Sequence, residues 1–437
     1  MMRQVAGGIL WVGLFVGICV APLVFALIGT ARAGQGFWTD FSVALGFVGL
    51  ALLGIQFALV ARVRSVSEPF GTDAVIQFHR QVGGVGLVFV LTHVALSAQW
   101  SELVRFDVSD TPARVWFGAA GASALLLLVA SSLWRRRLRL SYEMWQRVHA
   151  ALAVVAVLAA VTHVLLVSYY VDSLWKRALW MVMSAAFLGL LVWVRLLRPL
   201  RLRRRPWTVH RVVPERGTTT VLQLRPVGHP GLRFEPGQFA WFSIGRSPFH
   251  LTSHPFSFCS SAESEGQIAV AIKAAGDFTS TVRDVEPGTT VYVDGPHGVF
   301  SIDQYEGAGY CFLAGGVGVA PIVSMLGTLA DRGDARPVVL FSAHGSWDSV
   351  PLRDEVEALT RRLDLRVVHV LNQPPPEWTG ETGYISAEVL RRHLPSRYDR
   401  FQFFICGPNP MLDAMEDLLN QLGVPLDRIH TERFAWV

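Results

Sequence analysis

Residues 75–96 read VIQFHRQVGGVGLVFVLTHVAL, and residues 148–167 read VHAALAVVAVLAAVTHVLLV. Each is a long, mostly apolar run that carries two histidines, His79 and His93 in the first and His149 and His163 in the second. In both runs the separation is 14 residues. That is close to four turns at about 3.6 residues per turn, so each pair shares one helix face, about 21 Å apart along the axis. Two histidine levels therefore fit within one hydrocarbon thickness. Ionisable side chains inside a membrane helix are costly and mark function by default.

The surrounding sequence supports a membrane setting. Six apolar runs fill the first half, at roughly 5–29, 38–61, 75–98, 113–134, 148–171 and 175–197. Each approaches the length of about 20 residues that crosses a bilayer core. The first run is long, lacks an A-x-A site and is followed by another span, so it is not read as a cleaved leader. The 437-residue chain is 51% hydrophobic but only 17% charged, against about 25% charged in soluble domains, and its mean hydropathy is +0.37. Residues 1–206 hold 20 Lys and Arg against 8 Asp and Glu, a net of +12, whereas the remainder holds 19 against 26, a net of −7. The basic residues cluster at Arg62 and Arg64, at Arg135–Arg139, and from Arg195 to Arg205, after the second, fourth and sixth runs. The positive-inside rule puts these clusters, the N-terminus and everything beyond Pro206 on the cytoplasmic side. An acidic soluble half excludes nucleic acid as a partner. Cys19, Cys259, Cys311 and Cys406 are scattered, which argues against a structural zinc site, a disulfide framework and a Cys-ligated iron–sulfur cluster.

If the third and fifth runs point the same way, His79 and His149 share an inner level and His93 and His163 an outer one. Two imidazoles facing each other across a helical bundle suit a b-type haem with two histidine ligands. Gly83, Gly84 and Gly86, and the alanine-rich stretch 150–160, leave room for flat macrocycles. The competing readings are polar contacts between helices, a divalent metal site, which the spacing disfavours because neither pair is i, i+4, and a proton relay.

From Trp207 the texture changes. Short β-rich runs at Thr219–Leu224, Phe239–Ile244, Gln267–Ile272 and Thr290–Val293 alternate with Gly and Pro turns, which predicts a small antiparallel barrel. From Tyr310 the order becomes strand 310–314, glycine turn 315–318, helix 320–332 and strand 337–342, a parallel βαβ pattern. The fold class is thus a six-span α-helical membrane bundle, residues 1–206, then an antiparallel β-barrel, 207–303, then an α/β nucleotide-binding domain, 304–437.

Four motifs lie in this half: His254-Pro255-Phe256-Ser257; Ile272-Lys273 with Gly276-Asp277-Phe278-Thr279-Ser280; Gly315-Gly316-Val317-Gly318 with Pro321; and Cys406-Gly407-Pro408 with Met411. Together they resemble the FAD- and nicotinamide-binding motifs of the ferredoxin–NADP reductase superfamily. The His-Pro-Phe-Ser form is similar to that of its NADPH oxidase and ferric reductase branch, here a bacterial member placed in the inner membrane. The resemblance implies FAD held by the first two motifs, with Ser257 near flavin N5, and the nicotinamide nucleotide held by the last two, with Cys406 lining its site. It implies a near-terminal aromatic over the flavin, Phe434 or alternatively Trp436. Ser342, His344 and Arg353 suit a 2′-phosphate and so NADPH; NADH stays open.

The resemblance further implies a route from NAD(P)H through FAD to the inner haem, the outer haem and an acceptor outside, oxygen or a ferric chelate. Superoxide-forming members carry a further histidine one turn beyond the outer ligand, where this chain has Ser97. Two readings from other classes compete: a membrane redox sensor or transporter, and a haem subunit of a larger complex without NAD(P)H activity of its own.

Overall fold

The computed structural model describes residues 2–28, 34–100, 111–250, 253–264 and 266–433. Two units divide the chain, Met1–Pro199 and Leu200–Val437.

The first unit is built from α1 (Met2–Leu27), α2 (Phe37–Val60), α3 (Thr72–Trp100), α4 (Ala113–Leu133), α5 (Tyr142–Val167) and α6 (Leu174–Val192). Six stretches are long and apolar enough to cross a membrane. Helices are the expected solution in lipid because every backbone polar group is satisfied within the segment. Side chains such as Val88, Leu127, Leu133 and Val182 are exposed, as a lipid-facing surface requires. Ser141 caps α5 by accepting from the Met144 amide at 3.2 Å. Helices α2 and α3 pack closely as one hairpin and α4 and α5 as another, with sparser contact between hairpins. The Arg198 guanidinium donates to the carbonyls of Ala61 and Arg62 at 2.9 and 3.2 Å. That contact brings the basic clusters after α2 and α6 together at one end of the bundle, in agreement with their predicted common side.

The second unit holds two six-stranded sheets. The first is antiparallel, in the order β4-β3-β6-β1-β2-β5, from β1 (Trp207–Pro214), β2 (Thr219–Pro226), β3 (Phe239–Ile244), β4 (His254–Ser257), β5 (Ile268–Lys273) and β6 (Thr290–His297). It curls as a half-barrel around Phe242, Leu222, Leu224 and Phe258, all buried. The short helix α7 (Asp277–Thr281) follows β5.

The second sheet is parallel, in the order β10-β9-β8-β7-β11-β12. Its elements in chain order are β7 (Tyr310–Gly315), α8 (Val319–Asp331), β8 (Val338–His344), α9 (Arg353–Leu359), β9 (Leu365–Leu371), β10 (Glu381–Thr382), α10 (Ala387–His393), β11 (Gln402–Gly407), α11 (Asn409–Gln421) and β12 (Ile429–Arg433). β7 and β11 are buried along their whole length, as parallel strands covered on both faces must be. The chain starts at β7, winds outward through β8 and β9, then crosses to β11. The strand order therefore reverses between β7 and β11, and the crevice at their carboxyl ends is where such sheets bind ligands.

Candidate functional site

In the membrane unit the four histidines meet as two pairs, one from each hairpin. The ring centres of His79 and His149 lie 6.4 Å apart, and those of His93 and His163 lie 6.2 Å apart. Two metal–imidazole bonds of about 2 Å each, with about 1.1 Å from each nitrogen to its ring centre, put rings on opposite sides of one iron about 6 Å apart. Among the described residues no group of three or more His, Cys, Asp or Glu is placed to hold a metal.

Three of the four Nδ1 atoms have an acceptor that fixes the tautomer. His93 Nδ1 donates to the Ser42 carbonyl at 2.8 Å and His163 Nδ1 to the Arg114 carbonyl at 2.7 Å. His149 Nδ1 lies 3.2 Å from the Ser132 hydroxyl. A proton held on Nδ1 leaves Nε2 bare, the form in which histidine binds a metal. Glycines on the neighbouring helices permit these approaches. A Cβ at Gly46 would sit 3.1 Å from His93 Nδ1, and one at Gly118 only 2.8 Å from His163 Nδ1. Gly83 and Gly84 face open space, whereas Gly86 packs against Leu52 and Leu53 of α2. The first two glycines are thus free of neighbouring side chains, whereas the third is used for helix packing.

In the half-barrel, Ser257 ends β4 and pairs in register with Phe239 of β3. Phe239 pairs in turn with His297 of β6. Ser257 is buried, and its Oγ has no hydrogen-bond partner among the described residues. A buried hydroxyl with no protein partner costs free energy unless a ligand satisfies it, and the N5 edge of a flavin is such a ligand. His254 stacks on Phe278 with ring centres 3.9 Å apart and planes 6° from parallel, so the first two motifs meet through these side chains. Ile272, expected at the cofactor, lies in the barrel core, while its neighbour Lys273 is exposed. Thr279 Oγ1 accepts from the amides of Ala275 and Gly276, both at 2.9 Å, and Ser280 Oγ donates to the Gly276 carbonyl at 2.9 Å. These hydroxyls shape the turn before α7, and Lys273 beside it is exposed.

At the switch point the last two motifs interlock. A Cβ at Gly318 would run into the Cys406 carbonyl, and one at Gly315 would meet Met411 Sδ and Pro408 Cδ, the latter at 2.9 Å. Gly316 adopts φ +57°, a left-handed conformation open to glycine at no cost. Pro321 sits in the first turn of α8, where its missing N–H has no helical partner to lose. Cys406 is fully buried, and burial, reinforced by Glu432, raises its thiol well above the ordinary range. Burial of this kind favours the neutral thiol over the thiolate.

Comparison with known proteins follows this layout. Residues 45–160 match the ferric reductase like transmembrane component, residues 218–301 an FAD-binding domain, and residues 312–417 an oxidoreductase NAD-binding domain. The chain is 34% identical over 179 residues to ferredoxin–NADP reductase B of Sorangium cellulosum (strain So ce56), covering 38% of this chain and 71% of that protein. The chain belongs to the ferredoxin–NADP reductase family, in the NADPH oxidase/ferric reductase architecture.

It is also 30% identical over 236 residues to the reductase component of propane 2-monooxygenase from Rhodococcus jostii (strain RHA1), covering 52% of this chain and 62% of that relative. Among solved structures, it resembles the flavohaem-like FAD/NAD-binding domain of nitric oxide dioxygenase from Vibrio cholerae O1 biovar El Tor. That match has 20% identity and a TM-score of 0.47, and covers 53% of this chain and 98% of that one.

Within this reductase, sequence reading missed Glu432, Ser132, Gly46 and Gly118. Glu432 is buried on β12, pairs in register with Cys406, and lies 3.4 Å from a Cβ built at Gly298. It therefore stands where the two sheets meet. No local motif marks it, because its neighbours come from three separate segments. At the carboxyl end of β8, Ser342 Oγ is 2.7 Å from His344 Nε2. Burial, with the nearby His369 and Lys273, pushes His344 down to about 4. Arg353 lies 4.0 Å from the Trp347 ring centre and donates to the Trp347 carbonyl at 3.2 Å. The three phosphate candidates are thus one neutral imidazole, its paired hydroxyl and an arginine already seated on an aromatic. Phe434 and Trp436 lie outside the described residues.

Proposed function

We propose that this chain is a transmembrane oxidoreductase that passes electrons from cytosolic NAD(P)H through FAD and two b-type haems to an acceptor on the outer side, oxygen or a ferric chelate. The observation that carries the reading is the matched histidine geometry. Two cross-hairpin pairs have ring centres 6.2 and 6.4 Å apart, on levels 14 residues apart in both helices.

Bound FAD supplies the conversion of a two-electron hydride into single electrons, and the haems supply one-electron carriage across the lipid. The residues of the chain do the positioning. His79 with His149 and His93 with His163 are the ligand pairs, and the carbonyls of Ser42 and Arg114 hold the outer imidazoles in ligand form. Ser257 offers its hydroxyl to the flavin edge. Gly315, Gly316 and Gly318 let the backbone approach the dinucleotide, and the N-terminus of α8 favours its phosphates. Gly407, Pro408 and Met411 close the other side of the crevice, and the family resemblance assigns a flavin-covering aromatic to Phe434 or Trp436. With both ligand pairs engaged, the histidines would hold the haems without offering a further ligand, and the chemistry supplied to the acceptor would be outer-sphere electron transfer. Ser97 Oγ is 2.9 Å from Ser42 Oγ, so the place one turn beyond His93 is hydroxyl-lined. The basic clusters support a cytoplasmic flavin unit through the positive-inside rule.

The test is a visible spectrum of the purified protein, followed by anaerobic reduction with NADPH or NADH and separate addition of oxygen and ferric citrate. Low-spin b haem at two per chain, reduced only when FAD is bound, is the expected result. A folded preparation that shows flavin and no haem overturns the reading. Faster reoxidation by one acceptor assigns the terminal step.

A further inference from the structure

The four imidazoles are tethered in two different ways. On α2, Ser42 and Gln56 are 14 residues apart, the spacing of the histidines, and because α2 and α3 run antiparallel Ser42 meets His93 while Gln56 meets His79. On α4, Arg114 meets His163 and Ser132 meets His149. Each hairpin therefore has one helix that presents the imidazoles and one that holds them. Each outer imidazole is held by a main-chain carbonyl, which no substitution removes, and the Ser42 hydroxyl adds a second contact 3.1 Å from His93 Nδ1. The inner holds are side chains.

The Ser132 hydroxyl has its roles assigned by its neighbours. It donates to the Leu128 carbonyl at 2.8 Å and accepts from the Trp145 indole N–H at 3.2 Å. What remains toward His149 is a lone pair, so His149 Nδ1 carries the proton. Gln56 is more versatile. With its nitrogen toward α3, its amide donates to the His79 carbonyl at 3.0 Å and to Nδ1 at 2.5 Å, and its oxygen accepts from the Gly83 amide at 3.3 Å. An imidazole bound to iron through Nε2 needs its proton on Nδ1 instead. The same amide turned over presents Oε1 to that proton but gives up its contacts with the His79 carbonyl and the Gly83 amide, so this one uncharged side chain meets the metal-binding tautomer at the cost of those two bonds.

We propose that Gln56 and Ser132 are positioning residues that set the tautomer and basicity of His79 and His149, and through them the potential of the inner haem alone. The inference rests on the bis-histidine reading above. An acceptor on Nδ1 makes the imidazole a stronger donor and stabilises the oxidised iron, which lowers the potential; removing the acceptor raises it.

The experiment is a spectroelectrochemical titration of the full-length protein, with flavin content as the check on folding and a His93→Leu background to isolate the inner haem. Ser132→Ala is expected to shift the inner potential upward and leave the outer one in place, and Ser132→Thr to restore it. Gln56→Leu is expected to raise the inner potential or lose the inner haem, whereas Gln56→Glu, which keeps an acceptor, retains the haem and lowers its potential. Unchanged inner potentials in Ser132→Ala and Gln56→Glu, in a protein that binds two haems, overturn this proposal alone. A wild-type protein without haem overturns the bis-histidine reading and this inference with it.

Discussion

Gly118→Ala adds one methyl group to α4 directly against the His163 ring. The new Cβ would lie 2.8 Å from Nδ1 and 3.1 Å from Cε1, whereas ordinary contact begins at 3.4 Å. The ring or the helix must therefore yield by about 0.6 Å, three times the roughly 0.2 Å tolerance of a metal–ligand bond. The ring is also held from the same helix by the Arg114 carbonyl at 2.7 Å, so it cannot slide without weakening that bond. Overpacking of this kind costs about 1–3 kcal/mol, which corresponds to roughly a 5- to 150-fold loss of affinity for the outer haem. Gly46→Ala, with its Cβ at 3.1 Å from His93 Nδ1, should do the same more weakly, and Gly189→Ala, with nothing within 4 Å, should do nothing. The assay is haem stoichiometry and the reduced-minus-oxidised spectrum of each purified variant, with flavin content held as the control. Full retention of both haems with an unchanged spectrum in Gly118→Ala would refute the reasoning, because it would mean that His163 is not held as a ligand at this place.

Three further perturbations probe the soluble unit. Ser257→Ala should slow NAD(P)H-driven flavin reduction by about 1–3 kcal/mol, roughly 5- to 150-fold, with FAD retained; stopped-flow rates equal to wild type would remove Ser257 from the flavin edge. Gly318→Ala drives a Cβ into the Cys406 carbonyl and should abolish nicotinamide binding while dithionite still reduces the flavin, so normal nicotinamide turnover would contradict the interlocked turn. His344 and His430 are both pushed down to about 4 by burial, whereas an unfolded histidine titrates near 6.5. Between those values the unfolded chain takes up protons that the folded chain refuses, so stability is complete above about pH 6.5 and falls toward pH 4 by at most about 3 kcal/mol per histidine. Thermal unfolding followed by near-UV circular dichroism should show a lower Tm at pH 5 than at pH 7.5, and a shallower dependence in His344→Gln; a flat or inverted profile in wild type is the contrary result.

The elements legible in the sequence were those with a strong period or a sharp boundary. The apolar runs over α2 and α4 and the β3 stretch Phe239–Ile244 stand almost where the residues placed them, because continuous burial leaves a continuous apolar signature. The glycine turn at 315–318 was readable because only glycine tolerates the approach of the Cys406 carbonyl and the Met411 side chain. Less legible were β1, β9, β10 and β12, whose half-buried residues alternate weakly, and the ends of β6, which runs on to His297 through a Gly-Pro pair that reads as a turn. The histidine ligand candidates were visible through their spacing, but their tethers were not. A carbonyl partner such as Arg114 has no side-chain identity to read, and Gln56 and Ser132 look like stray polar residues until the hairpins are folded.

The pairing pattern ties these observations to the stability of the bundle. In lipid there is no hydrophobic drive between helices, so association depends on close packing and polar contacts. Within each hairpin both are present: Gly49 sits against Val90 and the Gly86 carbonyl, and Gly121 against the Ala156 carbonyl and Ala160 amide. Between the hairpins packing is sparse, and it is there that the imidazoles face one another, His79 of α3 toward His149 of α5 and His93 toward His163. A group ligated by both members of a pair therefore joins elements that side-chain packing alone holds loosely. Its binding free energy is then also assembly free energy for the bundle. The same division of labour explains why the tethers come from within each hairpin. Each imidazole is oriented by contacts within its own hairpin, so its orientation does not rest on the sparse interface between the hairpins.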